Sequence, residues 1–134
     1  MNINTNKPEI STIFRKGCIA TVAAVVINAA LYLMGSTFTF PADAITPTGD
    51  PVTVAPVILA SILGGLAATI SYFLLTRFLA RVTANRVMWV LTGVVLIGMF
   101  FTPFGIENVP IAQIVILEIM HFVAALPVWW LTRS

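Results

Sequence analysis

VAPVILASILGGLAATISYFLLTRFLARVTANR, residues 54–86, decides the fold. Its first 23 residues carry no charge, and then Arg77, Arg81 and Arg86 fall within ten positions. About 20 apolar residues are needed to cross the hydrocarbon of a bilayer, so this stretch reads as a spanning helix that stops at a basic turn. Three more apolar stretches lie at 17–35, 87–102 and 109–131. Lys7, Arg15 and Lys16 precede the first, and Arg133 follows the last. The loops on the other side carry Asp43, Asp50 and Glu107, while Glu9 lies in the N-terminal segment and Glu118 inside the fourth stretch. Cations gathered on one side are the positive-inside pattern. The expectation is an all-α integral membrane protein, a single domain over 1–134, with four transmembrane helices in a bundle and both termini cytoplasmic.

Composition supports this class. Charged residues make up 9% of the 134-residue chain and hydrophobic ones 59%, with a mean hydropathy of +1.01. Soluble domains carry about 25% charged residues, and a chain this short exposes too much surface to hide the difference. Lipid is therefore the expected solvent and first partner. The net charge of +2 is explained by basic residues at helix ends, and no basic stripe points to nucleic acid. Cys18 is the single cysteine, which excludes an internal disulfide, and there is no CxxC motif. The first apolar run is longer than the roughly 7–15 residues of a signal-peptide core. Helix 1 is therefore read as a retained anchor, despite Ala42-Asp43-Ala44 downstream.

Along the chain, residues 1–11 are polar, and Ile10, Ile13 and Phe14 beside Arg15 and Lys16 suit a short amphipathic lead-in. Gly35 suits a helix C-cap. Helix 1 presents Ala20, Ala24, Asn28 and Tyr32 at four-residue spacing. Helix 2 presents Ala60, Gly64 and Ala68 on one stripe and Ser61, Gly65 and Thr69 on its neighbour. Small residues at that spacing let helices approach closely in lipid, where the hydrophobic effect does not drive association. Intramolecular packing and self-association both use such stripes. The first outer loop alternates at 36–40 and 52–54 around Pro41, Pro47, Gly49 and Pro51, which is compatible with a short β-hairpin or with an irregular loop anchored by Phe38 and Phe40. A basic inner loop is expected at 77–86, and helix 4 closes with Trp129 and Trp130 at the interface.

Glu118 and His121, the only histidine, fall near the centre of helix 4 and share one face at i, i+3. A charge at that depth costs about 2.5–3.5 kcal/mol on insertion scales, so the group must face the bundle, find partners or stay neutral. Asn28 lies at comparable depth on helix 1 and is the expected third member, with Tyr32, Tyr72, Ser71, Thr92 and Gln113 as secondary candidates. Two readings of the set stay open: a polar link that pins helix 4 to helix 1, and a site that binds or exchanges a proton, cation or polar headgroup. One Glu-x-x-His is half of what a diiron bundle needs, so no metal site is expected within a monomer. The chain has no phosphate loop, dinucleotide fingerprint or HExxH, and neither a cofactor nor a catalytic residue is expected.

The four-helix layout, the Pro-rich acidic loop at 41–51, the Gly-rich helix 2 and the late His121-Phe-Val-Ala-Ala-Leu-Pro127 resemble a family of small uncharacterised bacterial membrane proteins, classed as a domain of unknown function. The resemblance implies a multi-pass protein of the bacterial inner membrane and brings no activity. The layout is also similar to claudin-type architecture, whose Trp and paired Cys in the first outer loop are absent here. The functional expectation is a non-enzymatic binding, accessory or structural module, alone or as a homo-oligomer or part of a membrane complex. The alternatives are a small proton- or cation-coupled transporter or channel using Glu118, and a membrane-embedded lipid or quinone enzyme.

Overall fold

The computed structural model describes residues 7–38, 49, 53–107 and 109–133. The elements in chain order are α1 (Ile10–Phe38), α2 (Val54–Phe78), α3 (Arg81–Phe100), a 3-10 turn (Pro103–Gly105), α4 (Ile111–Ala124) and α5 (Leu126–Thr132). No strand is present among the described residues. Of the hairpin expected from the alternation at 36–40 and 52–54, Ser36, Thr37 and Phe38 instead belong to α1 and Val54 to α2; the rest of it, at 39–52, lies outside the described residues except for Gly49, whose φ of 86° is a turn conformation suited to glycine. Four helices, counting α4 and α5 together, are long and apolar enough to cross a membrane. Val94, Ile97 and Val26 are each more than 60% exposed, and apolar surface on that scale calls for lipid contact.

Several boundaries differ from those read in the sequence. α1 begins at Ile10, seven residues before Gly17, and runs on past Gly35. The expected lead-in is simply its first turns, where the Ile13 N–H donates to the Glu9 carbonyl at 3.1 Å. Gly35 is buried inside the helix and caps nothing. The expected loop at 77–86 shrinks to Leu79 and Ala80, both extended, between helices that end at Phe78 and start at Arg81. Nothing in Arg-Val-Thr-Ala-Asn-Arg breaks a helix, so the charged residues extend α3 instead of interrupting it.

The fourth span is not one helix. Pro127 has no N–H to donate to the Val123 carbonyl, and the chain tightens there: Ala125 N–H donates to Phe122 at 3.1 Å and Val128 N–H to Ala125 at 3.0 Å. The result is a break at Ala125 between α4 and α5. Pro127, Val128 and Leu131 are buried, so the break turns α5 onto the rest of the bundle.

The most extensive helix–helix contact joins α1 and α2. Each carries a Gly-x-x-x-Thr. The Thr21 hydroxyl donates to its own Gly17 carbonyl at 2.7 Å, and Thr69 to Gly65 at 2.8 Å. A methyl added to Gly17 would overlap Thr69, and one added to Gly65 would overlap Thr21. The helices are therefore locked antiparallel, each threonine seated on the other's glycine. Ala20 and Ala24 continue the buried face of α1, and Ser61, Tyr72 and Thr76 that of α2. Ile13, Tyr72, Met88, Val128 and Leu131 form the apolar core near the basic end. The third span is the loosest: Ala84 and Met88 are the buried residues of α3.

Gly65→Ala is expected to destabilise the detergent-solubilised protein by about 1–3 kcal/mol through overpacking, and adding Thr21→Ala should recover part of the loss. Gly98→Ala, whose methyl meets nothing within 4 Å, should leave the midpoint unchanged. Thermal unfolding followed by circular dichroism checks this; equal losses in both single variants would contradict the seam.

Candidate functional site

Glu118 and His121 are the acidic and imidazole groups of α4, one turn apart. Their Oε2 and Nδ1 atoms approach to 3.6 Å, with the side chains 15% and 18% exposed. That distance exceeds an ordinary hydrogen bond, and Glu118 Oε1 and His121 Nδ1 are buried with no hydrogen-bond partner. The pair is thus close enough to interact and leaves bonding capacity unused.

The His121 ring also lines a cleft of about 230 Å³ between α2, α3 and the fourth span. α2 contributes Ala60, Gly64, Ala68 and Ser71; α3 contributes Met88, Thr92 and Val95; Ala124, Ala125 and Val128 complete the wall. Almost all of this surface is apolar. The Thr92 hydroxyl donates to the Met88 carbonyl at 2.7 Å, which leaves His121 as the one ionisable side chain on the wall. Glu118 is not part of the lining, and it meets the cleft only through its 3.6 Å approach to His121.

The other expected members are dispersed. Asn28 is buried, but its amide donates to Ser61 Oγ at 3.0 Å and so ties α1 to α2, not to Glu118 or His121. Its Oδ1 has no partner. Tyr72 sits in the core at the basic end, where its hydroxyl donates to Asn85 Oδ1 at 2.9 Å. Tyr32 is buried one turn beyond Asn28. Gln113 is completely buried, and both amide atoms lack a partner. Of the residues expected to pack helices, Ala20, Ala24 and Gly65 lie in buried positions, and Ala68 packs against the core cluster. Ala60 and Gly64 instead face the cleft, and a methyl added to Gly64 meets nothing within 4 Å. Among the described residues no three His, Cys, Asp or Glu side chains converge as a metal site.

A family model described as a family of unknown function, DUF6069, matches residues 8–134. The chain belongs to that family. No curated protein and no solved structure matches it. Membership therefore supplies a class for this DUF6069 chain and leaves its chemistry to the geometry.

Asn85 was not singled out from the sequence because it fell in the expected inner loop. It lies in α3, accepts from Tyr72 and donates through Nδ2 to the Thr132 carbonyl at 3.2 Å. One side chain thus joins α2, α3 and α5 at the basic end. The available signal was an asparagine one residue before Arg86, in a segment with no helix breaker.

Replacing Asn85 with Ala is expected to lower stability by about 1–3 kcal/mol, since the Tyr72 O–H loses its acceptor and keeps only the Arg81 hydrogen bond to its oxygen. Adding Tyr72→Phe should recover part of that loss. Chemical unfolding of the single and double variants measures the coupling; strictly additive losses would show that the bond carries no weight.

Proposed function

We propose that this protein is a membrane-embedded, non-enzymatic binding module whose cleft between α2, α3 and the fourth span receives the slender apolar body of a membrane-dissolved amphiphile. The carrying observation is the 230 Å³ apolar cleft with His121 as its one ionisable wall residue. That volume lies just under the range of about 300–1,000 Å³ typical of small-molecule sites, which favours a chain over a fused ring system. His121 offers a hydrogen bond to a hydroxyl or carbonyl on the ligand, and Glu118 at 3.6 Å orients the ring. The exposed Leu91 and Val95 flank an opening toward lipid. The chain would sit in the bacterial inner membrane with its basic end in the cytoplasm, as the seven cations gathered at helix ends on one side favour.

A second reading rests on Glu118 Oε1, a buried carboxylate oxygen without a partner. In it, Glu118 exchanges a proton through His121 with a substrate in the cleft. Proteoliposomes containing a pH-sensitive dye should then show a flux that Glu118→Gln abolishes.

For the binding module, a diazirine-labelled long-chain alcohol is the probe. Photolysis should label α3 and the fourth span around Val95 and Ala124. Gly64→Phe, which fills the cleft from a position with open space around it, should remove most of the labelling without loss of helicity. His121→Ala should weaken it roughly tenfold, the scale of one lost buried hydrogen bond. Labelling spread evenly over all lipid-facing helices, unchanged by Gly64→Phe, would overturn the proposal.

A further inference from the structure

A second polar feature lies at the opposite face of α2, away from the cleft, and does not depend on it. Arg77 stands in the last turn of α2. Its guanidinium carbon lies 5.0 Å from the centroid of the Phe73 ring, and Phe73 packs against Phe14 of α1 with ring centroids 5.7 Å apart. The ring gives the guanidinium a cation–π contact. Nε and Nη2 are both buried and have no hydrogen-bond acceptor. Those two nitrogens form one edge of the guanidinium, the fork that receives two oxygens of a phosphate or carboxylate side by side. A buried guanidinium edge left without an anion is costly. Among the described residues, the only acid at this end is Glu9, which is exposed.

A second cation is bonded to the main chain of the same residue. Lys7 is exposed, and its Nζ donates to the Arg77 carbonyl at 2.7 Å. Phe14, 41% exposed, continues the stack on the α1 side. An oxyanion partner for the fork, a positive neighbour and an adjoining aromatic surface together match the phosphate region of a lipid. We infer that Arg77 is a phosphate-binding residue, its Nε–Nη2 edge holding the phosphodiester of an anionic phospholipid at the basic end of the α1–α2 pair. Lys7 adds charge, and Phe14 meets the upper part of an acyl chain.

The test is native mass spectrometry of the whole protein released from detergent micelles doped with phosphatidylglycerol or phosphatidylcholine. Thermal midpoints are measured in parallel with each lipid and with inorganic phosphate. The wild type should retain phosphatidylglycerol in preference to phosphatidylcholine and be stabilised by it. Arg77→Gln should bind it roughly tenfold more weakly, as expected for a lost charged hydrogen-bonded pair. Arg77→Lys keeps the charge and a long aliphatic stem, so it guards against misfolding. It should still lose most of the preference, because an ammonium lacks the fork. Equal retention by the wild type and Arg77→Gln, or full retention by Arg77→Lys, would overturn the assignment. Arg77-dependent stabilisation by inorganic phosphate, with no preference for phosphatidylglycerol, would keep the phosphate chemistry and overturn the lipid as its source.

Discussion

The rest of the bundle depends on the close approach of α1 and α2, made possible by two glycines and enforced by two threonines. In lipid, apolar side chains gain little by meeting each other, so helix pairs rely on contact area and satisfied polar groups. The Gly17–Thr69 and Gly65–Thr21 contacts supply the first. The second is supplied within each helix, since both threonine hydroxyls donate back to their own glycine carbonyls. Neither threonine brings an unsatisfied group into the seam. The Asn28–Ser61 bond then fixes the same register farther along. Once α1 and α2 are set, the position of every other helix is judged against a fixed pair.

The third helix shows what happens where such a seam is missing. Its glycines, Gly93 and Gly98, have no neighbour within 4 Å of where a Cβ would stand. Its only buried residues, Ala84 and Met88, lie in its first half, beside the two-residue turn and the Asn85 bonds. The helix is held at one end and is free of close packing along the other. That asymmetry opens the cleft, because the side chains of α3 that could have met α2 stop short of Gly64. A small-residue stripe on α2 that looks like a packing face in isolation is left as a smooth wall.

The sequence made the spans legible because charge placement and run length are direct consequences of the energetics of crossing lipid. The seam was legible only in part. Gly65 and Ala24 stand out at four-residue spacing, but two parallel stripes on α2 looked alike, and only the packing distinguishes them: one meets α1, the other faces the cleft. Helix 1 starting at Ile10 was hidden because Arg15 and Lys16 mark where the apolar run ends, and a helix need not end with its apolar run. The Pro127 break was visible as a residue yet was read through, since membrane helices tolerate proline when neighbours re-satisfy the freed groups. For the site, i, i+3 spacing correctly joined Glu118 to His121, because that pairing is local. Joining Asn28 to them required the rotation of α1 about its axis, which depth alone does not supply. Asn85 went unnoticed for the same reason in reverse: its partners lie 13 and 47 positions away in sequence.

Apart from Asn28 Oδ1 and the Arg77 fork, the unpartnered buried groups among the described residues lie on the fourth span. Gln113 is fully buried with both amide atoms unpartnered, Glu118 and His121 meet only at 3.6 Å, and the helix breaks at Pro127. α1 and α2 hold most of their polar side chains in internal bonds. A buried group left unsatisfied costs about 1–3 kcal/mol, so the fourth span is maintained against a gradient that the α1–α2 seam must offset. A bundle selected only for stability would replace Gln113 and Glu118 by leucine at little geometric cost. Both lie outside the cleft lining, on the helix that places His121 in its wall, and their open bonding capacity suits a partner from outside the folded chain. Departures of this kind are expected where a fold carries function, and here they coincide with the helix that lends its histidine to the cleft wall.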